Sequence, residues 1–127
     1  MNKMILAYNF SPERLAALKL LCMMLRVQLK PVERTQLLQP VGSLAGVPGV
    51  APVQEEYTGA EATQELLLMC GFQRSDLDRL LAGIRKSKLQ SVKLKAMLTP
   101  TNAQWNAIDL LKELEQEHEF MTGKNVQ

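Results

Sequence analysis

The feature that most constrains this chain is a pair of short apolar runs, residues 4–10 (MILAYNF) and 65–70 (ELLLMC). Successive side chains of a strand point to opposite faces of a sheet. A strand without polar alternation is therefore covered on both sides. Two other segments, 27–33 (VQLKPVE) and 91–98 (SVKLKAML), alternate apolar and polar residues. Pro31 cannot donate to a ladder, and Lys93 and Lys95 place charge on one face. Both segments read as edge strands. Two central and two edge strands require helices on both faces of the sheet.

The helices lie between these strands. Ser11-Pro12-Glu13 opens the first, with Ser at the N-cap, Pro at the first helical position and an acid near the positive helix end. Its core stripe is Leu15, Leu18, Leu21, Cys22 and Leu25. Ser75-x-x-Asp78 is expected to cap the second, with Leu77, Leu80, Leu81 and Ile84 facing the core. Thr99-Pro100-Thr101-Asn102 reads as the stop of the last strand and the start of the last helix. Trp105, Ile108, Leu111 and Leu114 form that helix's stripe, and Gly123 is expected to end it. Residues 36–63 hold Pro40, Gly42, Gly46, Pro48, Gly49, Pro52 and Gly59. They suit a short helix near 40–46 and a mobile stretch at about 47–62.

The fold class is α/β: a four-stranded, mostly parallel sheet in the order 2-1-3-4, with right-handed crossovers and helices on both faces. A ferredoxin-like α+β arrangement with an extra C-terminal helix also centres strands 1 and 3, and periodicity does not separate the two. No internal repeat is evident. The 127 residues are expected to form one domain over 1–122 with a frayed tail at 123–127.

Composition narrows the function classes. A net charge of +2 is too small to imply a nucleic-acid or membrane partner. No signal peptide is visible, and the longest apolar run, Leu20 to Leu25, is far below the ~20 residues of a bilayer span. The expectation is a cytoplasmic protein. Cys22 and Cys70 form no CxxC pair, so no zinc site or redox dithiol is signalled. A single His excludes a multi-His metal site and argues against a His-based triad. There is no GxGxxG and no GxxxxGK[ST] loop. No metal or cofactor is expected, and the balance leans away from an enzyme.

Some residues nonetheless carry chemistry. Cys70 ends a central strand just before a helix, where Arg74 and the helix N-terminus could lower its pKa. A buried, inert thiol is the simpler reading. Between Asp78 and Asp109 there are no acids, only Arg79, Arg85, Lys86, Lys88, Lys93 and Lys95. Arg85, Lys86, Lys88 and Lys93 are the anion-binding candidates. RNA binding through a sheet would need exposed aromatics beside them, and none precedes Trp105. Trp105, in the first turn of the last helix, is expected to seal the sheet end; in a parallel sheet the alternative is that it lines a cleft near Asn9, Cys70, Thr99 and Asn102. Leu20, Met23 and Met24 fall off the core stripe of the first helix and are a candidate homodimer surface.

The pattern Lys95-Ala96-Met97-Leu98-Thr99, then Asn102, Trp105, Leu110-Leu111-Lys112-Glu113-Leu114 and Glu117-His118 is distinctive. With Met69-Cys70-Gly71-Phe72 upstream, it resembles a small bacterial family of uncharacterised proteins, domain of unknown function 3783. The resemblance covers roughly residues 65–119. It implies a cytosolic bacterial protein with no assigned activity and transfers no catalytic residue. It makes Lys95, Thr99, Asn102 and Trp105 ligand-binding candidates. The leading reading is a non-enzymatic binding or regulatory module that self-associates. The alternatives are a thiol-dependent enzyme or redox sensor using Cys70, and an anion or nucleic-acid binder through segment 85–95.

Overall fold

A computed structural model describes residues 2–126, with side chains through residue 118. In chain order the elements are β1 (Met4–Tyr8), α1 (Pro12–Leu25), β2 (Gln28–Val32), a 3₁₀ turn (Arg34–Gln36) and α2 (Val41–Leu44). They continue with β3 (Leu66–Cys70), α3 (Arg74–Arg85), a 3₁₀ turn (Lys88–Ser91), β4 (Leu94–Met97), a 3₁₀ turn (Asn102–Gln104) and α4 (Ala107–Val126).

Local chemistry places the helix ends. The Ser11 side chain accepts from the Arg14 N–H at 3.3 Å, and Pro12 begins α1. α3 starts slightly earlier than the Ser75 pattern suggests. Gln73 is its N-cap, and the Asp76 carboxylate accepts the Gln73 N–H at 2.8 Å in a capping box. α4 runs through Gly123 to Val126. A helix-interior glycine costs about 1 kcal/mol and does not by itself end a helix. Gln127 lies outside the described residues.

The sheet order is β2-β1-β3-β4. β1 pairs parallel with β2, and β3 parallel with β4, while the central pair β1–β3 is antiparallel. The expected order, the edge positions of β2 and β4 and the two-sided cover are all present. Each βαβ unit joins adjacent strands, whereas a ferredoxin-like fold splits each unit with another strand. That alternative is excluded. The antiparallel centre places the C-terminal ends of β1 and β3 at opposite ends of the sheet, an arrangement the side-chain pattern could not foretell because it reports burial and not strand direction.

One face carries α1 and α3 over Ile5, Ala7, Leu67 and Met69. The other carries α2, α4 and the Arg34–Gln36 turn over Leu6, Tyr8, Leu66, Leu68 and Cys70. All five residues of β3 are buried. Two right-handed crossovers turned about an axis normal to the sheet place both helices on one face, and α4 closes the other.

From the first strand into the helix, the two βαβ units correspond residue by residue at one constant spacing, which the longer connections before β4 then break. Met4 matches Leu66, Tyr8 matches Cys70, and Pro12 matches Arg74 at the helix starts. Asn9 and Gly71, the residues just after β1 and β3, both adopt left-handed backbone, at φ 68° and 73°. Phe10 matches Phe72, Leu15 matches Leu77, and Leu18 matches Leu80. The pair Leu6–Leu68 is its own equivalent and marks the axis. Leu21 and Gly83 meet on the same axis, where a Cβ on Gly83 would stand 2.5 Å from Leu21 Cδ1.

Two ion pairs obey the same relation with their charges exchanged. Arg14 on α1 grips Glu65, the residue before β3, with two N–H donors, one at 2.8 Å. Asp76 on α3 takes Lys3, the residue before β1, at 2.7 Å. The Lys3 ammonium and the Gln73 N–H hold the Asp76 carboxyl below its ordinary pKa. We expect Arg14→Glu to destabilise the fold by about 1.5–3 kcal/mol, the range for hydrogen bonds to charged groups. Adding Glu65→Arg should recover part of that loss. Urea unfolding of the two single variants and the double variant measures the coupling.

Candidate functional site

The connection from β4 to α4 folds around one residue. The Thr99 N–H donates to Asn102 Oδ1 at 2.8 Å, and the Asn102 N–H donates back to Thr99 Oγ1 at 3.0 Å. Asn102 Nδ2 also caps the Met97 carbonyl at 3.0 Å. Neither Thr99 nor Thr101 starts α4. Asn106 does, through its Oδ1 and the Asp109 N–H at 2.9 Å. Trp105 therefore lies just before the helix and not in its first turn. Its carbonyl accepts the Val41 N–H at 2.9 Å, which ties the connection to α2. Its indole is 39% exposed.

This anchored Trp105 borders two hollows. One is a groove of about 200 Å³ between β4 and α4, with Ala96, Thr99, Asn102, Leu110 and Leu114 along it and Glu113 and Glu117 at its rim. The other, more polar, is lined by Gln104, Asn106, Asp109 and Glu113. Asp109, Glu113 and Glu117 fall on successive turns of one side of α4. All three are exposed, and none is in an ion pair among the described residues. An exposed indole beside unpaired carboxylates attracts cations through the ring face and through charge. Half-buried His118 lies one residue beyond the rim.

Of the residues singled out from sequence, Thr99, Asn102 and Trp105 come together here. Asn9 does not. Its side chain donates to the Ala62 and Gln64 carbonyls at 2.7 and 3.3 Å and pins the chain entering β3. Met4 pairs with Cys70 while Tyr8 pairs with Leu66, so Asn9 is at the other end of the sheet from Cys70. The cleft expected to join Asn9 and Cys70 with Thr99 and Asn102 does not form. Lys95 pairs with Leu67, whose side chain faces α1 and α3, and its Nζ donates to the Val92 carbonyl at 2.8 Å. It points away from the groove.

Cys70 is fully buried, and burial pushes its thiol up to about 12. Cys22 is pushed to about 11 for the same reason. Arg74 and the start of α3 do not activate Cys70, because its side chain turns into the core beneath α4. Arg85, Lys86, Lys88 and Lys93 are exposed and spread over the end of α3, the turn after it and the approach to β4. Lys88 reaches Glu13 at 3.3 Å.

The sequence did not signal the buried Tyr8 hydroxyl, which makes no well-formed hydrogen bond among the described residues, although the Ala62 backbone lies nearby. Tyr8 lines an apolar cavity of about 10 Å³ with Leu37, Val41 and Leu66, room for about one water. Burial raises the phenol pKa, and the nearby Ala62 backbone partly offsets this. Among the described residues, no three His, Cys, Asp or Glu converge on a metal site, and no helix is long and apolar enough to cross a membrane.

Both thiols stay neutral in the folded chain to well above the pH at which they ionise in the unfolded chain. Their stabilising effect is complete below about pH 8.5, the unfolded thiol value, and is lost as pH rises toward 11 and 12. Stability should therefore fall above about pH 9, and less steeply in Cys70→Val. In a Cys22→Ser background, iodoacetamide should label Cys70 at the rate of unfolding. Fast labelling of the folded protein at pH 7 would contradict the burial.

Residues 65–121 match the family model described as Domain of unknown function (DUF3783). No curated protein and no solved structure matches the chain. The matched segment holds the second βαβ unit and every residue of the Trp105 groove. Over this segment the chain resembles the DUF3783 family, as the pattern from Lys95 to His118 implies.

Proposed function

We propose that this chain is a non-catalytic binding module that self-associates through α1 and offers the Trp105 groove to a cationic ligand. The observation that carries the self-association is the outer side of α1. Leu20, Met23 and Met24 are 63%, 67% and 76% exposed. With Ala16 they form one stripe at helical spacing, on the side opposite Leu18 and Cys22. Hydrophobic area exposed together in this way favours a partner over solvent. The groove lies on the other sheet face, under α4, so the two surfaces do not compete.

The other readings have less support. A thiol enzyme requires an accessible, low-pKa cysteine, and Cys70 is buried with a raised pKa. An anion site requires converging donors, and Arg85, Lys86, Lys88 and Lys93 are dispersed.

Light scattering should give a mass near twice that of one chain, and Leu20→Glu with Met24→Glu should give a single chain with unchanged circular dichroism. A monomeric wild type at high concentration would refute the dimer. The groove has its own reporter, because Trp105 is the only tryptophan. Lysine amide and spermidine should change its emission saturably, and acetate should not. Glu113→Gln with Glu117→Gln should weaken the response about tenfold.

A further inference from the structure

We infer that the Trp105 groove takes an extended peptide that adds to the free edge of β4, with basic side chains on the face turned toward α4. This rests on the groove being a binding site and names its occupant.

The backbone supplies the first argument. The Leu98 N–H donates to the Met69 carbonyl at 2.8 Å. In a parallel ladder, Ala96 and Leu94 then also turn their backbone groups toward β3, and Lys95 and Met97 turn theirs outward. β4 is the last strand of the sheet. The Met97 carbonyl is already capped by Asn102. The Lys95 N–H, the Lys95 carbonyl and the Met97 N–H remain to pair with a new strand. Strand addition draws affinity from such groups and specificity from pockets for alternate side chains.

The groove supplies the second argument. Ala96 and Leu94 are the β4 residues on the α4 face, and Ala96 borders the same hollow as Leu114, Trp105, Glu113 and Glu117. A strand added beside β4 would extend one face over this hollow. Every second side chain would stand between the edge strand and the acidic side of α4. A lysine or arginine there meets the Trp105 ring and the unpaired carboxylates.

Charge also selects against other occupants. Lys93 precedes β4, and Lys95 lies within it on the α1 and α3 face. A strand basic on both faces would place like charges opposite them. Two copies pairing β4 to β4 would bring the same lysines together. The occupant that fits is basic on the α4 side and uncharged or acidic on the other.

The probe is a fluorescein-labelled heptapeptide alternating valine and lysine, followed by anisotropy and, with unlabelled peptide, by Trp105 emission. We expect saturable binding. It should weaken at least tenfold for the valine–glutamate peptide, for the peptide N-methylated on alternate residues, in whichever of the two phases faces β4, and for Glu113→Lys with Glu117→Lys. Equal binding of the peptides N-methylated in either phase, or of the acidic peptide, would overturn the inference. If lysine amide changes Trp105 emission but the peptide binds no better, the groove stands and strand addition fails. If neither binds, both fail.

Discussion

The antiparallel seam between β1 and β3 is the interaction on which the rest of the structure depends. Each βαβ unit alone leaves a wholly apolar strand with one open edge, and each finds its missing neighbour only in the other. Leu6, Leu67, Leu68 and Met69 are almost completely buried along that seam, and a fully buried side chain of this size contributes about 1.5–3 kcal/mol. The direction of the seam also decides where everything else lies. It places α1 and α3 side by side, leaves the opposite face for α4, and separates the loop after β1 from the loop after β3.

The exchanged ion pairs explain why the seam joins unlike halves. The first half contributes Lys3 and Arg14, and the second contributes Glu65 and Asp76. Two copies of the first half would set Lys3 against Arg14, and two copies of the second would set Glu65 against Asp76. Like charges there disfavour pairing of identical halves, while the native arrangement satisfies all four groups. The seam is thus specified by charge as well as by apolar burial, which is how sheets avoid the wrong edge.

The two faces of the sheet then serve different ends. On one, α1 and α3 pack closely at Leu21 and Gly83, and Leu20, Met23 and Met24 on the outer side of α1 stay exposed. On the other, α4 packs across β4 with a hollow between them that Ala96, Leu110, Leu114 and Glu117 line. The Thr99–Asn102 pair of hydrogen bonds stiffens the turn between them, so Trp105 stays partly exposed beside the carboxylates of α4.

Much of this was legible in the sequence. The apolar runs at 4–10 and 65–70 and the lysine or proline marks in the other two strands sufficed to tell central from edge strands and to require cover on both faces, because burial dictates side-chain pattern; the choice of order 2-1-3-4 over the ferredoxin-like one was left to the tertiary structure. Thr99, Asn102 and Trp105 were legible as a unit, because turn chemistry is local. The repeat was also present, in Phe10, Leu15 and Leu18 against Phe72, Leu77 and Leu80, but the loops and charges had diverged around it. The direction of the central pair was not legible, since a strand buried on both faces shows the same pattern in either orientation. That single choice moved Asn9 away from Cys70 and dissolved the expected cleft. Nor could periodicity show that Ala96, Leu110, Glu113 and Glu117 border one groove, because it reports which side of a helix packs and not where that helix crosses a strand. The sequence by itself determined which surfaces are buried, through the cost of leaving apolar side chains in water. Only the tertiary structure decided which residues meet, because strand direction and helix crossing are settled by packing between distant segments.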